Sequence, residues 1–441
     1  MDQKRHMVIG LGQSGLSVCV HLHQLGMPFV VNDSRANPPG LAALQKQIPQ
    51  AEIHLGTWRP DLISHCEHVV VSPGVSLNEP IITAAKVLGK PVSGDIQLFA
   101  DVCQAPVVGI TGTNGKSTVT TLVAELLQNA GFTAIAGGNL GKPALDLLQL
   151  PTPDVYVLEL SSYQLESTHR LPLRVACVLN LSADHMDRYP SMTEYAAAKQ
   201  RIFANAEVAV LNQDDKWVMA MQRPAQQTIY FSETNVESEF YVDTQSDPSR
   251  LMQCGREIAT GQSLYLKGRH NQLNVLAAMA IVKPFEISET IVQQTVQSFK
   301  GLPHRSQLAA EFNGVKYIND SKGTNVGATV AAIRGANAPI ILIAGGDGKG
   351  QDFSELAEVC RDHVKHVILI GRDAPIIAQA LAGVSVVSHA PTLEQAVIMA
   401  SQQASSGDWV LLSPACASLD MFSSYAERGD RFTQAARGLL S

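Results

Sequence analysis

The stretch Gly109-Ile-Thr-Gly-Thr-Asn-Gly-Lys-Ser-Thr118 decides how the middle of the chain is interpreted. It follows an apolar run at 105–110 and precedes a helical pattern at 118–130, so a glycine-rich turn is predicted between a strand and a helix N-terminus. Unpaired backbone N–H groups and the helix dipole make such a turn an anion site, and Lys116 can reach a β- or γ-phosphate. Ser117 would then offer its hydroxyl to Mg²⁺.

This turn departs from the ordinary phosphate-loop spacing. Ile110 stands where that pattern requires its first glycine, and the nearest glycines are Gly109 and Gly112. A Gly-Lys-Ser triplet alone is usually a surface turn. The series of strand, turn and helix nevertheless predicts a site for nucleotide phosphate, that of ATP or GTP.

The composition is that of a large globular protein. Of 441 residues, 45% are apolar and 17% are charged, so substantial cores can form and about three domains are expected. The formal charge of -7 and the lack of Lys/Arg runs argue against nucleic-acid partners, and no apolar run is long enough for a membrane span. Seven scattered cysteines without a Cys-x-x-Cys pair predict neither disulfides nor zinc and fit a reducing cytoplasm.

The N-terminal segment carries a second nucleotide-binding pattern. A predicted strand at 6–9 leads into Gly10-Leu-Gly-Gln-Ser-Gly15, a helical pattern, and a further strand that ends at Asp33. This is the Gly-x-Gly-x-x-Gly fingerprint in its proper context, which by itself indicates NAD. The same turn and acid serve other nucleotides and sugar nucleotides, and a purely structural tight turn is a further alternative. A similar strand-to-turn junction follows at 68–74.

Polar residues also follow the predicted strands of the central segment. Glu159 ends the apolar run 154–160, and a buried carboxylate needs a metal or another cation beside it. His185, between two aspartates after the next strand, is as consistent with a metal ligand as with a structural histidine. Lys199, on a helix predicted at 193–206, is by default a solvated lysine. Asn271 begins a helix whose polar residues could face a base.

The C-terminal segment alternates strands and helices, which predicts a parallel sheet covered on both faces. Its strands lead into three polar loops, at 319–325, 345–350 and 413–418. Together these loops suggest anion recognition, although each alone is equally consistent with a tight turn. Lys322 and Lys349 are by default solvated charges, Ser418 a helix cap, and Arg305 with Asp320 a structural ion pair.

These observations predict an α/β fold with three domains. They are a Rossmann-like N-terminal domain at 1–93, a central P-loop-type ATPase domain with a mostly parallel sheet at 94–302, and a Rossmann-like C-terminal domain at 303–441.

The assembled motifs resemble the Mur ligase family, ATP-dependent amide-bond-forming enzymes of peptidoglycan precursor synthesis, over essentially the whole chain. The matching stretches are 111–118, 159–162, 184–187, 198–199, 268–271, 303–305 and 319–322. The stretches 33–35, 345–349 and 413–420 are similar to those of the branch that adds D-glutamate. Folylpolyglutamate synthetase shares the ATP loop but lacks such an N-terminal domain. An NAD-dependent oxidoreductase and a non-enzymatic nucleotide-gated binding protein are more distant alternatives.

The resemblance implies a reaction and its cofactors. ATP would phosphorylate the alanine carboxylate of UDP-N-acetylmuramoyl-L-alanine, and the amine of D-glutamate would attack the acyl phosphate to give a tetrahedral intermediate that releases phosphate. Two Mg²⁺ ions and a carbamylated Lys199 are implied. The partners would be these small molecules, with no nucleic acid and no membrane, and a monomeric cytoplasmic enzyme is expected.

The resemblance also implies the residues of the site. The catalytic residues would be Lys116, Asn139, His185 and Lys199, and the metal ligands Ser117, Glu159, His185 and Lys199. ATP would be bound by Gly112, Thr113, Asn114, Gly115, Lys116, Ser117, Thr118, Asn271, Arg305 and Asp320. The UDP-linked substrate would be bound by Gln13, Ser14, Asp33, Ser34, Arg35, Gly74, Asn139 and His185. D-Glutamate would be bound by Lys322, Thr324, Lys349, Ser418, Leu419 and Tyr425. Ser34, Gly323 and Tyr425 stand where Thr, Ala and Phe are expected, which affects only fine contacts.

Overall fold

The computed structural model describes residues 5–224, 226–266, 268–336 and 338–439. These residues form three α/β units, each built around its own mostly parallel sheet, so the predicted fold class is confirmed. Within the same ranges, no helix combines the length and the apolar character that a membrane crossing needs.

The N-terminal unit is a parallel sheet of five strands in the order β3-β2-β1-β4-β5. The strands are β1 (His6–Ile9), β2 (Phe29–Asp33), β3 (Glu52–Leu55), β4 (His68–Val71) and β5 (Val92–Ser93). The helices are α1 (Gln13–Gln24), α2 (Leu41–Gln47) and α3 (Pro80–Val87), with a 3₁₀ helix at Pro60–His65. Helix α4 (Asp95–Val102) follows and packs mainly against helices of the central unit. The strand order reverses between β1 and β4, which opens a crevice at their carboxyl ends.

The central unit has a sheet of nine strands in the order β14-β13-β12-β11-β10-β9-β6-β8-β7, parallel except at β13 and β14. The strands are β6 (Val107–Thr111), β7 (Ala134–Gly138), β8 (Val155–Glu159), β9 (Leu173–Val178), β10 (Ala206–Asn212), β11 (Gln227–Ser232), β12 (Phe240–Asp243), β13 (Arg250–Gln253) and β14 (Arg256–Thr260). The helices are α5 (Lys116–Asn129), α6 (Ala144–Leu147), α7 (Ser162–Glu166), α8 (Met192–Gln200), α9 (Lys216–Met219), α10 (Arg269–Val282) and α11 (Glu289–Ser298), with 3₁₀ helices at Arg201–Phe203 and Lys283–Phe285. The helix predicted at 193–206 ends earlier, because the chain enters β10 at Ala206, opposite Leu173 of β9.

The C-terminal unit has six strands in the order β15-β16-β20-β17-β18-β19, antiparallel only between β15 and β16. The strands are β15 (Gln307–Phe312), β16 (Val315–Asn319), β17 (Ile340–Gly345), β18 (Val364–Ile370), β19 (Val386–His389) and β20 (Trp409–Leu412). The helices are α12 (Val326–Arg334), α13 (Ser354–His363), α14 (Ala374–Ala380), α15 (Leu393–Gln403) and α16 (Tyr425–Gly438).

Helix α5 anchors the glycine-rich turn to the central core. Val119, Leu122, Val123 and Leu126 recur at helical spacing and are fully buried. Burying each such side chain contributes about 1.5–3 kcal/mol, so the helix start is held firmly against the sheet. Because β9, β6 and β8 are neighbours, the loops that follow them meet at one edge.

Candidate active site

The glycine-rich turn owes its shape to two glycines and one asparagine. Gly112 and Gly115 have φ values of +149° and +84°, and a Cβ on Gly115 would lie 2.4 Å from Asn274 Oδ1. Beyond the end of β9, the Asn180 side chain accepts from Asn114 N at 2.9 Å and donates to Asn114 O at 3.1 Å. The turn is therefore preorganised by the neighbouring strand end.

Lys116 lies in the concave side of this turn. Its Nζ donates to the carbonyl oxygens of Gly112 and Thr113, at 2.9 and 2.8 Å. Burial lowers the pKa of the Lys116 ammonium, and the negative charges of Glu159 and Asp184 oppose that effect. The ammonium is thus held in the loop that is expected to receive phosphate.

Glu159 forms the opposite wall and is 2% exposed. Asn139 Nδ2 donates to its Oε1 at 2.6 Å, whereas Oε2 is buried and has no hydrogen-bond partner among the described residues. Burial raises the pKa of Glu159, but the Lys116 charge and the hydrogen bonds to the carboxylate outweigh burial and leave the pKa lowered. The ionised carboxylate is stabilised by the Lys116 charge, and its buried Oε2 is a candidate ligand for a further cation.

The donor set of this wall fits Mg²⁺. A serine hydroxyl, Ser117, and a carboxylate, Glu159, are the hard oxygen ligands that Mg²⁺ takes in addition to substrate phosphates. Within the described ranges, no three or more His, Cys, Asp or Glu side chains cluster closely enough to hold a metal alone. The residues therefore fit an ion that arrives with its nucleotide.

Lys199 is 1% exposed, so the default interpretation of a solvated helix lysine is wrong. Its Nζ donates to Gly112 O at 2.8 Å and to Thr111 Oγ1 at 3.3 Å, and lies 4.7 Å from the centre of the Tyr195 ring. Burial and the nearby Lys116 charge hold the pKa of Lys199 well below its usual range. A lysine amine on this side of the loop is thus kept away from water.

His185 has a left-handed backbone, with φ of +58°, that turns its ring into the site. The ring packs 5.0 Å from that of Tyr163 and 6.5 Å from that of Tyr195, and Nε2 lies 3.7 Å from Asp184 Oδ2. Burial lowers the pKa of His185 despite the Asp184 charge, which favours the neutral imidazole. A neutral imidazole can act as a ligand or a hydrogen-bond acceptor.

Side chains of the C-terminal unit contribute to the same site as Lys116 and Glu159. Arg305 Nη2 donates to Ser117 Oγ at 2.9 Å, and Lys349 Nζ lies 3.2 Å from Asp184 Oδ1. Lys322 Nζ lies 3.8 Å from the centre of the Tyr425 ring, and burial lowers the pKa of Lys322 to about 8. The two lysines are therefore not the solvated charges that their default interpretation suggests.

One cavity of about 250 Å³ joins most of the predicted residues. Its walls include Thr113, Asn114, Gly115, Lys116, Ser117, Asn139, Glu159, His185, Lys199, Arg305, Lys322, Thr324 and Lys349. Ser418 and Leu419 lie outside this lining. The Ser418 carbonyl accepts from Met421 N and Phe422 N, and Leu419 is 73% exposed.

A neighbouring cleft of about 320 Å³ lies between the central and C-terminal units. Of the residues predicted for ATP, it is lined by Asn114, Gly115, Thr118, Asn271, Arg305 and Asp320. Asp320 accepts from Ser413 Oγ at 2.7 Å and from Ser306 N at 3.1 Å, and burial raises its pKa to about 6. This cleft continues from the glycine-rich turn, as a nucleoside attached to the phosphates requires.

A third pocket, of about 400 Å³, lies in the crevice of the N-terminal sheet. It is lined by all six residues predicted there for the UDP-linked substrate, Gln13, Ser14, Asp33, Ser34, Arg35 and Gly74. The Asp33 carboxylate already accepts from Leu11 N and from Arg35 Nη2, both at 2.7 Å, so it orders the loop. Gln13 Nε2 donates to Gly141 O at 3.3 Å, which connects this pocket to the Asn139 loop.

Several residues of these pockets were not among the site residues predicted from the sequence. Trp58 and Glu79 line the N-terminal pocket, Asn180 shapes the glycine-rich turn, and Asp184 and Asn325 join the central and C-terminal units. Asn180 and Asp184 follow the end of β9, where a polar residue signals a site. Trp58 and Glu79 have no comparable signal, because each approaches the pocket from a distant loop.

Comparison with known proteins identifies three matching family domains. The Mur ligase MurD-like N-terminal domain matches residues 4–94, the Mur ligase middle domain residues 110–282, and the Mur ligase glutamate ligase domain residues 304–416.

Full-length relatives match as well. The chain is 46% identical over 438 residues to UDP-N-acetylmuramoylalanine--D-glutamate ligase of Nitrosococcus oceani, covering 99% of this chain and 97% of the relative. It is 47% identical to the protein of the same name from Methylobacillus flagellatus, covering 100% and 98%.

Among solved structures, UDP-N-acetylmuramate-alanine ligase MurC from Thermotoga maritima superposes with a TM-score of 0.64 at 18% identity, covering 99% of both chains. A pseudomurein peptide ligase type C from Methanothermus fervidus gives 0.61 at 20% identity, covering 93% of this chain and 96% of that one. At these identities the likeness concerns the fold.

Proposed function

Because the chain belongs to the Mur ligase family, we propose that it joins D-glutamate to UDP-N-acetylmuramoyl-L-alanine at the expense of ATP, in peptidoglycan precursor synthesis. The observation that carries the proposal is the cavity in which Lys116, Glu159 and Lys199 of the central unit meet Lys322 and Lys349 of the C-terminal unit. Its full-length relatives bear the name of this reaction. The folate and NAD alternatives are not favoured.

The first step transfers the γ-phosphoryl group of ATP to the alanine carboxylate. Lys116 and the backbone N–H groups of the turn would neutralise charge on that group, because phosphoryl transfer depends on positioning and electrostatics. Arg305, which contacts Ser117 beside Glu159, would approach the same phosphates from the C-terminal unit. Mg²⁺ held by Ser117 and Glu159 would supply further charge neutralisation.

The second step forms the amide. The neutral amine of D-glutamate attacks the acyl carbon, the bond from that carbon to the phosphate oxygen breaks, and the proton that the amine loses passes to the released phosphate. His185, neutral because of burial, lies in the cavity where the substrate carboxylate and sugar would meet Asn139. Water must be kept from the acyl phosphate during this step, because it would hydrolyse that intermediate.

Lys199 would act as a carbamate. An amine adds CO₂ only when it is neutral, and its lowered pKa favours that state. The new N–C bond forms and an N–H proton is released to solvent, so the product would be an anion that attracts the Lys116 ammonium. With His185 it would provide ligands for a second Mg²⁺.

The three substrates are assigned to the three units. We assign the UDP moiety to the pocket of the domain at 1–93, ATP to the domain at 94–302, and D-glutamate to the domain at 303–441. Lys322, Thr324 and Lys349 would bind the D-glutamate carboxylates, and Ser418, Leu419 and Tyr425 would complete that pocket after a loop adjustment. We propose a monomer that acts in the cytoplasm.

Phosphate release in a three-substrate assay tests the function. Release is expected only when ATP, UDP-N-acetylmuramoyl-L-alanine and D-glutamate are all present, and L-glutamate in place of D-glutamate should give none. Turnover of L-glutamate with a folate would contradict the proposal. Saturable NAD binding in a fluorescence titration would instead support the oxidoreductase alternative.

A further inference from the structure

Asn325 connects three segments that are far apart in the chain. It caps helix α12, because its Oδ1 accepts from Ala328 N at 2.8 Å. Its Nδ2 donates to Asp184 Oδ2 at 3.0 Å and to Asn114 Oδ1 at 3.2 Å. The side chain is therefore bonded at once to the C-terminal unit, the glycine-rich turn and the loop that carries His185.

The orientation of the Asn325 amide is determined by its partners. An ionised carboxylate only accepts hydrogen bonds and a backbone N–H only donates one, so Nδ2 must face Asp184 and Oδ1 must face Ala328. The residue is 4% exposed, so water does not readily replace either bond. A side chain without the amide N–H groups would leave the Asp184 oxygen short of a donor.

Asp184 connects Asn325 to residues of the catalytic cavity. Its other oxygen, Oδ1, accepts from His185 N at 2.9 Å and from Lys349 Nζ at 3.2 Å. The position of Asp184 therefore affects both the His185 backbone and the lysine expected to bind D-glutamate. Asn114, the second acceptor of Asn325, belongs to the turn around Lys116.

The start of helix α12, next to Asn325, is closely packed against the central unit. A Cβ on Gly327, in the first turn of α12, would lie 3.0 Å from Ser182 Oγ and 3.5 Å from Asn114 Nδ2. The start of α12 thus lies directly on the two loops that Asn325 bonds. A methyl group added there would require the Ser182 side chain to shift by a few tenths of an ångström.

We propose that Asn325 is a positioning residue that sets the closure of the C-terminal unit over the ATP loop. Asn325 lines the catalytic cavity, but its amide groups are bonded to Asn114, Asp184 and the start of α12, and it acts through the first two. The proposal rests on the proposed ligase function. It requires that changes at Asn325 impair kcat and the use of ATP and D-glutamate, while binding of the UDP-linked substrate, whose pocket lies in the N-terminal unit, stays unchanged.

Two substitutions separate the interdomain bonds from the helix cap. Asn325→Ser keeps a good N-cap but is too short to donate to both partners. Asn325→Asp keeps the cap and the shape but sets a second carboxylate against Asp184. The double variant Asn325→Asp with Asp184→Asn exchanges donor and acceptor and should recover part of the lost activity. Thr392→Ala, which removes the cap of α15 in the same unit, is the matched control.

Gly327→Ala tests the contact between the start of α12 and the central unit by adding one methyl group. Alanine is the better helix former, so this variant should not lose helix stability. It should reduce kcat/KM for ATP less than Asn325→Ser does, because the Ser182 side chain can adjust to the added methyl group.

The measurements are kcat and KM for each substrate, and Kd for the UDP-linked substrate alone. For Asn325→Ser and Asn325→Asp, kcat/KM for ATP and for D-glutamate should fall about ten- to hundred-fold, as loss of a hydrogen bond to a charged group predicts. Kd for the UDP-linked substrate and the Thr392→Ala kinetics should match wild type. Wild-type kinetics in both Asn325 variants would overturn the inference, as would equal loss without recovery in the double variant. A wild-type protein without ligation would overturn the proposed function instead.

Discussion

Lys116 and Lys199 donate to the same carbonyl oxygen, that of Gly112, at distances of 2.9 and 2.8 Å. Two buried ammonium groups around one acceptor repel each other, and the Lys116 charge contributes to the lowered pKa of Lys199. A change that makes one of the two neutral or anionic is therefore favourable. The pair supplies a physical argument for the proposed carbamylation of Lys199 that does not depend on the family resemblance.

Lys199→Ala should reduce ligation by about a hundred-fold or more, because the anionic group opposite Lys116 would be lost. A short-chain carboxylic acid such as formate should partly restore phosphate release by occupying the vacated space. Lys199→Arg, which stays cationic and cannot be carbamylated, should be inactive and insensitive to the acid. Full activity of Lys199→Ala without added acid would rule out the carbamate.

Lys116→Ala should lower kcat by about a hundred-fold or more, because a charge aimed at the transferring phosphoryl group is lost. Binding of the UDP-linked substrate, measured by calorimetry, should be unchanged because its pocket lies in the N-terminal unit. Lys46→Ala, at an exposed position of α2, is the control for removal of a lysine. Equal loss of binding and turnover in Lys116→Ala would point to a folding defect.

Glu159→Gln should raise the Mg²⁺ concentration for half-maximal activity by about ten-fold or more, since the unpartnered anionic oxygen is replaced by a neutral group. A Mg²⁺ titration of phosphate release measures this shift. Glu125→Gln, a partly buried position on α5, serves as the matched variant and should follow the wild-type curve. An unshifted curve for Glu159→Gln would exclude Glu159 as a ligand.

The KM for D-glutamate should rise as the pH increases through about 8. Burial lowers the pKa of Lys322 to about 8, so its ammonium is present below that pH and is lost above it, together with its attraction for a carboxylate. Lys322→Arg remains charged throughout and should not show this rise. Comparing the two proteins cancels the titration of the substrate itself. Parallel pH profiles would show that Lys322 does not bind the amino acid.

Much of the fold is predictable from local patterns in the chain. The runs at 107–111, 155–159 and 340–345 consist mostly of apolar residues, as strands buried on both faces must. The turn at 109–118 has the glycines that its left-handed backbone requires, so its place between a strand and a helix could be predicted. The domain boundaries at 93/94 and 302/303 stay predictions.

The burial and the charge partners of individual charged residues could not be predicted from local sequence patterns. Lys199 follows three alanines and is indistinguishable in sequence from a surface lysine, yet the helix is packed so that its amine lies against Gly112. Lys349 meets Asp184 although the two are 165 residues apart. Burial and charge pairing depend on which elements pack together, and that information is not local.

The sequence by itself therefore determined the α/β class, the place of the glycine-rich turns and the chemistry available at each strand end, because glycine content and apolar periodicity act over a few residues. Only the tertiary structure decided that the strand ends of the central and C-terminal units face one cavity and that Asn325 joins them. Hydrogen-bond partners and lowered pKa values arise from through-space distances of a few ångströms, which the order of residues along the chain does not specify.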